Sequence, residues 1–476
     1  MTRLGNTEFK RKFSITLYKN LEIKLGEMSF FKDFVNDKRG DLYPLISDKT
    51  ESAEAVENNR YVLNGGEIKR FFCQFFPYAT YSISGDVADG MAGFSFKILE
   101  AEATIKFGCG KLVYECADKT YEKELKGDFL TADQMIISCR PGAFDIYFKI
   151  NDKPELFFSF DEPLFIDSNV DSNFTNGYAA LYAQGRVSIS TVRSYIDSGI
   201  SLADIRPIRY ENGDVMVESG RIYLTASIRM QAKMFQGVFS WVPGTAEIEL
   251  TGAIFYDSGD GRWCGDVAAS VLYHREKKLW YLWVCSFNHD HVLGHSEFSG
   301  DPRFGVNAID IELMEKAPDG AHYAEFLGFS GDEDPDLYYD ADKDKWMMAI
   351  CRLDPETRKY RYVFFESDKP FEGYRYVGRG LPGAETGGSF VSVAGERMFV
   401  CGNDFNATSN YRIYSKSGME NARFDYPDGG FRGWGTLIPV KQGSRTRYFW
   451  LTFDRHNGSD YNWSYGNLYC FEGYLK

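Results

Sequence analysis

Asp332-Glu-Asp-Pro-Asp-Leu-Tyr-Tyr-Asp-Ala-Asp-Lys-Asp-Lys-Trp346-Met-Met-Ala is a carboxylate, an apolar strand, a charged turn and a second apolar strand, and the chain uses the pattern three times. Asp266 stands fourteen residues before Trp280, Asp332 fourteen before Trp346, and Glu385 fourteen before Phe399. Each unit reads as a β-hairpin by its turn and alternation signals. Hairpins recurring at intervals of ~45–65 residues predict propeller blades. In a radial arrangement the starts of the innermost strands converge on one axis, so the three acids would face one another there. Converging carboxylates suit glycosidic bond chemistry, in which one acid protonates the leaving oxygen and a second activates water or attacks the anomeric carbon.

At 476 residues the chain exceeds what one core normally supports, and two domains are expected. Aromatic residues are 16% of the total, with 31 Tyr and 39 Phe, and Gly is abundant, which favours strands and turns. The fold class read from this is all-β. A net charge of −14 and a pI near 5.1 exclude nucleic acid and anionic membrane as partners, since neither is attracted to this field. A neutral carbohydrate fits. The nine cysteines are odd in number, scattered and set among apolar strand residues, as reduced core thiols are. No apolar run follows the basic N-terminal residues, so a cytoplasmic location is expected. No cofactor or metal is expected, and homo-oligomerisation is left open.

From about Phe13 to Tyr195 short alternating strands lack the hairpin repeat and predict a β-sandwich. Its strand order, with the Gly-rich return at Gly177, resembles the concanavalin-like jelly roll of laminin-G-type and lectin-type modules. The domain boundary is placed near Ser198, giving a sandwich over 1–198 and a propeller over 199–476. Five blade-like units begin near Ala203, Gly265, Gly331, Ala384 and Arg432. The second strand of each blade returns to the axis, which adds Ser286, Asn288, Arg352, Asn403, Asp404, Asp454 and Arg455 to the expected rim.

The region from Ala203 onward resembles the five-bladed propeller glycosidases, the superfamily containing glycoside hydrolase families 32, 43, 68, 117 and 130. Ala203-Asp204-Ile-Arg-Pro is similar to the base or nucleophile motif of those families, Glu333-Asp334-Pro335-Asp336 to their Asp-Pro motif, and Ala384-Glu385-Thr-Gly-Gly to their acid motif. The sequence departs from the pattern in two ways: Asp204 is not followed by Pro, and the unit carrying Asp266 intervenes before the Asp-Pro motif. The resemblance implies Glu385 as general acid, Asp204 or Asp266 as base or nucleophile, and Asp332 or Asp334 as the group that orients substrate and tunes the acid. It also implies furanoside substrates. Strand alternation would put Asp332 and Asp334 on one face.

Each of these residues also has a plainer role. Acids at the starts of innermost strands cap those strands and bond neighbouring blades. Trp263, Trp434 and Trp463 flank strand ends, where aromatic faces support sugar rings or simply pack between blades. Arg432, at the address of the acids, either binds substrate hydroxyls or pairs with an acid. His289, His291 and His295 lack the geometry of a strong zinc pattern and read as loop histidines, with His291 placed to touch substrate. Two rival functions remain: a glycoside phosphorylase, with phosphate held by Arg352, Arg432 and Arg455, and a non-catalytic carbohydrate-binding protein.

Overall fold

The computed structural model describes residues 4, 7–15, 21–28, 47–49, 54–199, 201–230, 233–289, 291–318, 320, 332–354, 357–403, 410–424, 431–443, 445–454 and 467–475. The chain divides into two compact units. One comprises Met1–Leu21, Ser198–Asp260 and Cys264–Lys476, the other Glu22–Asp197 with Gly261–Trp263. Among the described residues no helix is long and apolar enough to cross a membrane.

The first unit is a five-bladed propeller. Blade I has its innermost strand at Ser201–Pro207, followed by Arg221–Met230, Lys233–Trp241 and Ile248–Asp257. Blade II runs Val267–His274, Leu279–Ser286, Val292–Phe298 and Glu312–Leu313, and blade III runs Asp332–Asp340, Lys345–Asp354, Lys359–Ser367 and Arg375–Arg379. Blade IV is Glu385–Val393, Glu396–Asn403, Asn410–Ser415 and Gly418–Asn421. Blade V takes Phe431–Gln442, Arg445–Asp454 and Leu468–Gly473 from the end of the chain and Glu8–Ile15 from its beginning. The innermost strands touch in cyclic order, with that of blade V against that of blade I. Trp241 of blade I meets Phe449 of blade V edge to face at 5.5 Å, which helps to close the ring.

The propeller core lies in wedges between blades. Val238 and Ile254 of blade I pack with Ala269 and Trp280 of blade II. Leu272 and Trp283 of blade II pack with Met348 and Phe365 of blade III, and Tyr338 and Tyr362 of blade III with Phe390 and Phe399 of blade IV. The aromatic positions fourteen residues after each acid, Trp280, Trp346 and Phe399, are all buried in these wedges. That is why the repeat carries an aromatic at a fixed distance: each blade needs a large apolar side chain there to fill the gap to its neighbour.

Every innermost strand has a β-bulge near its start. The register slips between Ala203 and Arg206, Val267 and Ser270, Glu333 and Asp336, Thr386 and Ser389, and Arg432 and Thr436. At the first extra residue of the first four bulges the backbone is left-handed, with φ of +51° at Asp204, +60° at Ala268, +50° at Asp334 and +58° at Gly387. Asp and Gly are the residues that tolerate this region best. Pro335 sits beside Asp334 inside the bulge, a position where a strand tolerates the loss of a ladder donor.

The second unit is one antiparallel sheet of twelve strands. Two long strands, Thr80–Ile98 and Tyr178–Asp197, pair along most of their length. The start of Thr80–Ile98 carries an arm of Gln134–Arg140, Ala143–Ile150 and Lys153–Asp161; its end carries a second arm of Ala101–Gly108, Lys111–Cys116 and Lys119–Glu124. Side chains of both arms enter one buried cluster. Tyr114 stacks on Phe160 at 4.3 Å and Phe107 meets Phe148 at 5.6 Å, so the arms share a core.

The chain changes unit at Ser198, and residues 1–21 belong to the propeller unit. The twelve-stranded unit is therefore inserted between the closing strand and the first blade. Where the chain leaves and returns, Ser198 N donates to Leu21 O at 2.9 Å. All nine cysteines are free thiols.

Candidate functional site

Asp266, Asp332 and Glu385 hold the same address, and all three are closed off from solvent. Asp266 accepts from Ser286 Oγ at 2.9 Å and from Asn288 N and Nδ2 at 3.1 and 2.6 Å. Burial raises its pKa against the opposing pull of those hydrogen bonds. Asp332 receives both Nε and Nη2 of Arg352, at 2.6 and 2.9 Å. Glu385 takes Arg412 Nη1 at 2.8 Å and the Tyr414 hydroxyl on Oε1, and Tyr362 N at 3.0 Å on Oε2. Asn403 Oδ1 accepts from Ala384 N at 3.0 Å. The predicted rim residues Ser286, Asn288, Arg352 and Asn403 thus stand beside the strand starts, engaged in capping them. Glu385 ties blade IV to blade III and has no exposed atom from which to donate a proton to a ligand.

The bulges supply a different pair. Asp204 and Asp334 occupy equivalent positions in blades I and III, each 5% exposed. Asp204 Oδ2 accepts from Ser227 Oγ at 2.8 Å, and that oxygen accepts from Ala268 N at 3.1 Å. Asp334 Oδ2 accepts from Thr386 Oγ1 at 3.0 Å and Gly387 N at 2.9 Å. Burial and then the Asp334 charge push the Asp204 carboxyl up to about 7, outweighing the opposing Arg229 and Arg206. Asp332 and Asp334 do not share a face as alternation predicted: the bulge breaks the period, sending Asp332 to Arg352 and Asp334 to blade IV.

Arg206 fixes these bulges from below. Its guanidinium, 2% exposed, donates to the carbonyls of Ala268, Asp334 and Pro335 at 3.3, 3.2 and 2.6 Å. Deeper still, Arg209 pairs with Asp336 and donates to Phe390 O at 2.8 Å, while Phe390 N donates to Asp336 at 2.6 Å. These buried contacts hold blades I to IV in register and satisfy the carbonyls freed by the bulges.

The three histidines diverge. His289 Nδ1 lies 2.8 Å from Ser286 Oγ, His291 Nδ1 lies 3.0 Å from Glu333 Oε1, and His295 stacks on Phe371 and lies tilted against Trp283, 4.9 Å from each. Among the described residues no group of His, Cys, Asp or Glu side chains could hold a metal ion.

No protein-family model matches the chain, nor does any curated protein. Solved structures do. A thermostable family-43 glycoside hydrolase is 12% identical over 57% of this chain and 88% of its own, with a TM-score of 0.38. The α-L-arabinofuranosidase of Podospora anserina in complex with cellotriose is 13% identical over 58% and 91%, TM-score 0.39. A levansucrase mutant of B. subtilis is 8% identical over 58% and 84%, TM-score 0.42. Identities this low leave residue roles to this chain's own geometry.

Trp263 lies in the other unit. It packs edge-on against Phe76 and Phe174, at 5.9 and 5.0 Å, and its carbonyl accepts from Tyr78, so it is no sugar platform of the propeller. The side chains of Arg432, Trp434 and Asp454, and the whole of Asp404, Arg455 and Trp463, lie outside the described residues. Sequence reasoning missed Arg206, Ser227, Arg229, Tyr360, Arg412 and Tyr414, and it used Glu333 only as part of a motif. Arg206 had a signal, as a charged residue at the centre of an apolar innermost strand; the others become neighbours only through the ring.

Proposed function

We propose that the propeller is a glycoside hydrolase whose chemistry is carried by Asp204 and Asp334. The observation behind this is the pair itself: two aspartates at matching strained bulges, nearly buried, with one holding its proton close to neutral pH. A carboxyl raised by burial and by the charge of a second carboxylate is the kind of group that acid catalysis of glycoside cleavage uses. Asp204, protonated, donates to the departing glycosidic oxygen. Asp334, with Oδ2 positioned by Thr386 and Gly387, works as the carboxylate that takes the proton of the attacking water or adds to the anomeric carbon. The furanoside class implied by the motif resemblance makes arabinofuranosides and fructofuranosides the first substrates to try. A cytoplasmic setting belongs to the same proposal, and nine free thiols suit it.

The test is turnover of nitrophenyl furanosides and pyranosides and of short oligosaccharides by the wild type, Asp204→Asn and Asp334→Asn. Each substitution is expected to lower turnover of unactivated oligosaccharides about 10²- to 10⁴-fold. Asp204→Asn should lose much less on a dinitrophenyl glycoside, whose leaving group needs no proton, whereas Asp334→Asn should lose activity on both. Equal, small effects of both substitutions would refute the assignment.

A further inference from the structure

Glu333 and His291 meet across the seam between blades II and III, and neither takes part in the proton transfers above. His291 directly precedes the third strand of blade II with φ of +59°, its ring edge-on to Phe287 at 4.3 Å. Glu333 Oε1 receives His291 Nδ1 at 3.0 Å and the Tyr360 hydroxyl at 3.1 Å. That occupies one carboxylate oxygen and one ring nitrogen. Among the described residues the other two atoms, Glu333 Oε2 and His291 Nε2, meet no hydrogen-bond partner, and the two side chains are 19% and 29% exposed. The pair also lies by the reactive acids. Glu333 adjoins Asp334 in the chain, and the buried Cys285 thiol is pushed up by burial and by the charges of Glu333, Asp334, Asp266 and Asp204.

We propose that His291 and Glu333 form a hydroxyl-reading pair, selecting a glycosyl unit with two adjacent free hydroxyls. The inference borrows from the hydrolase reading only the class of ligand. With Nδ1–H donated to the carboxylate, the Nδ1 tautomer of His291 presents Nε2 as an acceptor beside the acceptor Oε2 of Glu333. Two linked acceptors match the two O–H donors of a vicinal diol. A ligand lacking one hydroxyl leaves an acceptor desolvated and unpaired, which is why sites of this kind discriminate strongly. Tyr360, bonded to the already occupied oxygen, orients the carboxylate without touching the diol.

Binding by Asp334→Asn protein tests this without turnover. The probes are methyl glycosides of L-arabinofuranose, D-xylopyranose, D-galactopyranose and D-fructofuranose with their monodeoxy analogues, followed by titration calorimetry. At least one parent glycoside should bind, and removal of one of two adjacent hydroxyls should weaken it about 10- to 100-fold. Adding His291→Ala or Glu333→Gln should bring the parent down to its deoxy analogue, while Tyr360→Phe keeps the preference. Parent and deoxy forms binding alike, a preference that survives both substitutions, or no binding by any parent overturns the proposal. Pair-dependent binding with no turnover by the wild type would instead strike the hydrolase reading and leave the pair in place.

Discussion

Asp204 shows how one side chain can be costly to the fold and useful to the site. Its backbone is left-handed and its carboxyl is buried, with the Asp334 charge opposing its ionisation. In the unfolded chain it ionises near 3.8, in the folded chain near 7. Below about pH 4 both states hold the proton and the group is neutral to stability. Between those values only the folded state holds it, so stability falls as pH rises, by about 4 kcal/mol at 1.36 kcal/mol per unit. Asp204→Asn removes that penalty and is expected to melt several degrees above the wild type at pH 8, with no such advantage at pH 4, as read by calorimetry. Under the proposed role of Asp204 as acid, kcat/KM on an unactivated glycoside should fall as pH rises through about 7, and that limb should be absent from the residual activity of Asp204→Asn.

At the scale of the strand, the fourteen-residue repeat was legible because a hairpin with a buried aromatic has a fixed length. The five bulges were not. A bulge adds residues to one strand without changing its composition, so Asp266, Asp332 and Glu385 stood out in the sequence while Asp204 and Asp334 showed no common register. The visible acids turned out to cap strands, and the pair behind the proposed chemistry lies at the next address inward. Glu385 and Arg412 make the difference measurable. Their pair is buried, so Glu385→Gln, which leaves Arg412 without its counter-charge, is expected to cost about 3–5 kcal/mol of stability. The double variant Glu385→Gln with Arg412→Met should recover part of it, which denaturant titration of all three proteins checks. Well below its melting temperature, Glu385→Gln should keep kcat within about tenfold of wild type, unlike a variant lacking its general acid.

The whole propeller depends on a strand from the far end of the chain. Glu8–Ile15 pairs antiparallel with Leu468–Gly473 and completes blade V, where Lys12 meets Glu472 at 2.8 Å and Arg447 Nε meets it at 2.5 Å. Burial opposes ionisation of Glu472, but Arg447, Lys12 and Tyr474 together bring its carboxyl down to about 2. A depressed carboxyl lends stability that is complete above its unfolded value of 4.5 and is lost as pH falls from there to about 2. Glu472→Gln is expected to lose about 2–3 kcal/mol at pH 7 and to flatten that acid limb. Removing residues 1–15 should go further, exposing the edge of Leu468–Gly473 and unfolding or aggregating the propeller, as seen by circular dichroism and size-exclusion chromatography.

Composition and periodicity alone determined that the chain is all-β, that its C-terminal part is built from repeated hairpins and that carboxylates recur at the strand starts, because hairpin length, alternation and aromatic spacing are local properties. Membership of residues 1–21 in the propeller, the removal of Trp263 to the other unit, the burial of Glu385 and the pairing of Asp204 with Asp334 were decided only by the tertiary structure. Each depends on contacts between different strands or blades or on a bulge that shifts a side chain to another face, and neither ring closure nor a register slip leaves a periodic trace in the sequence.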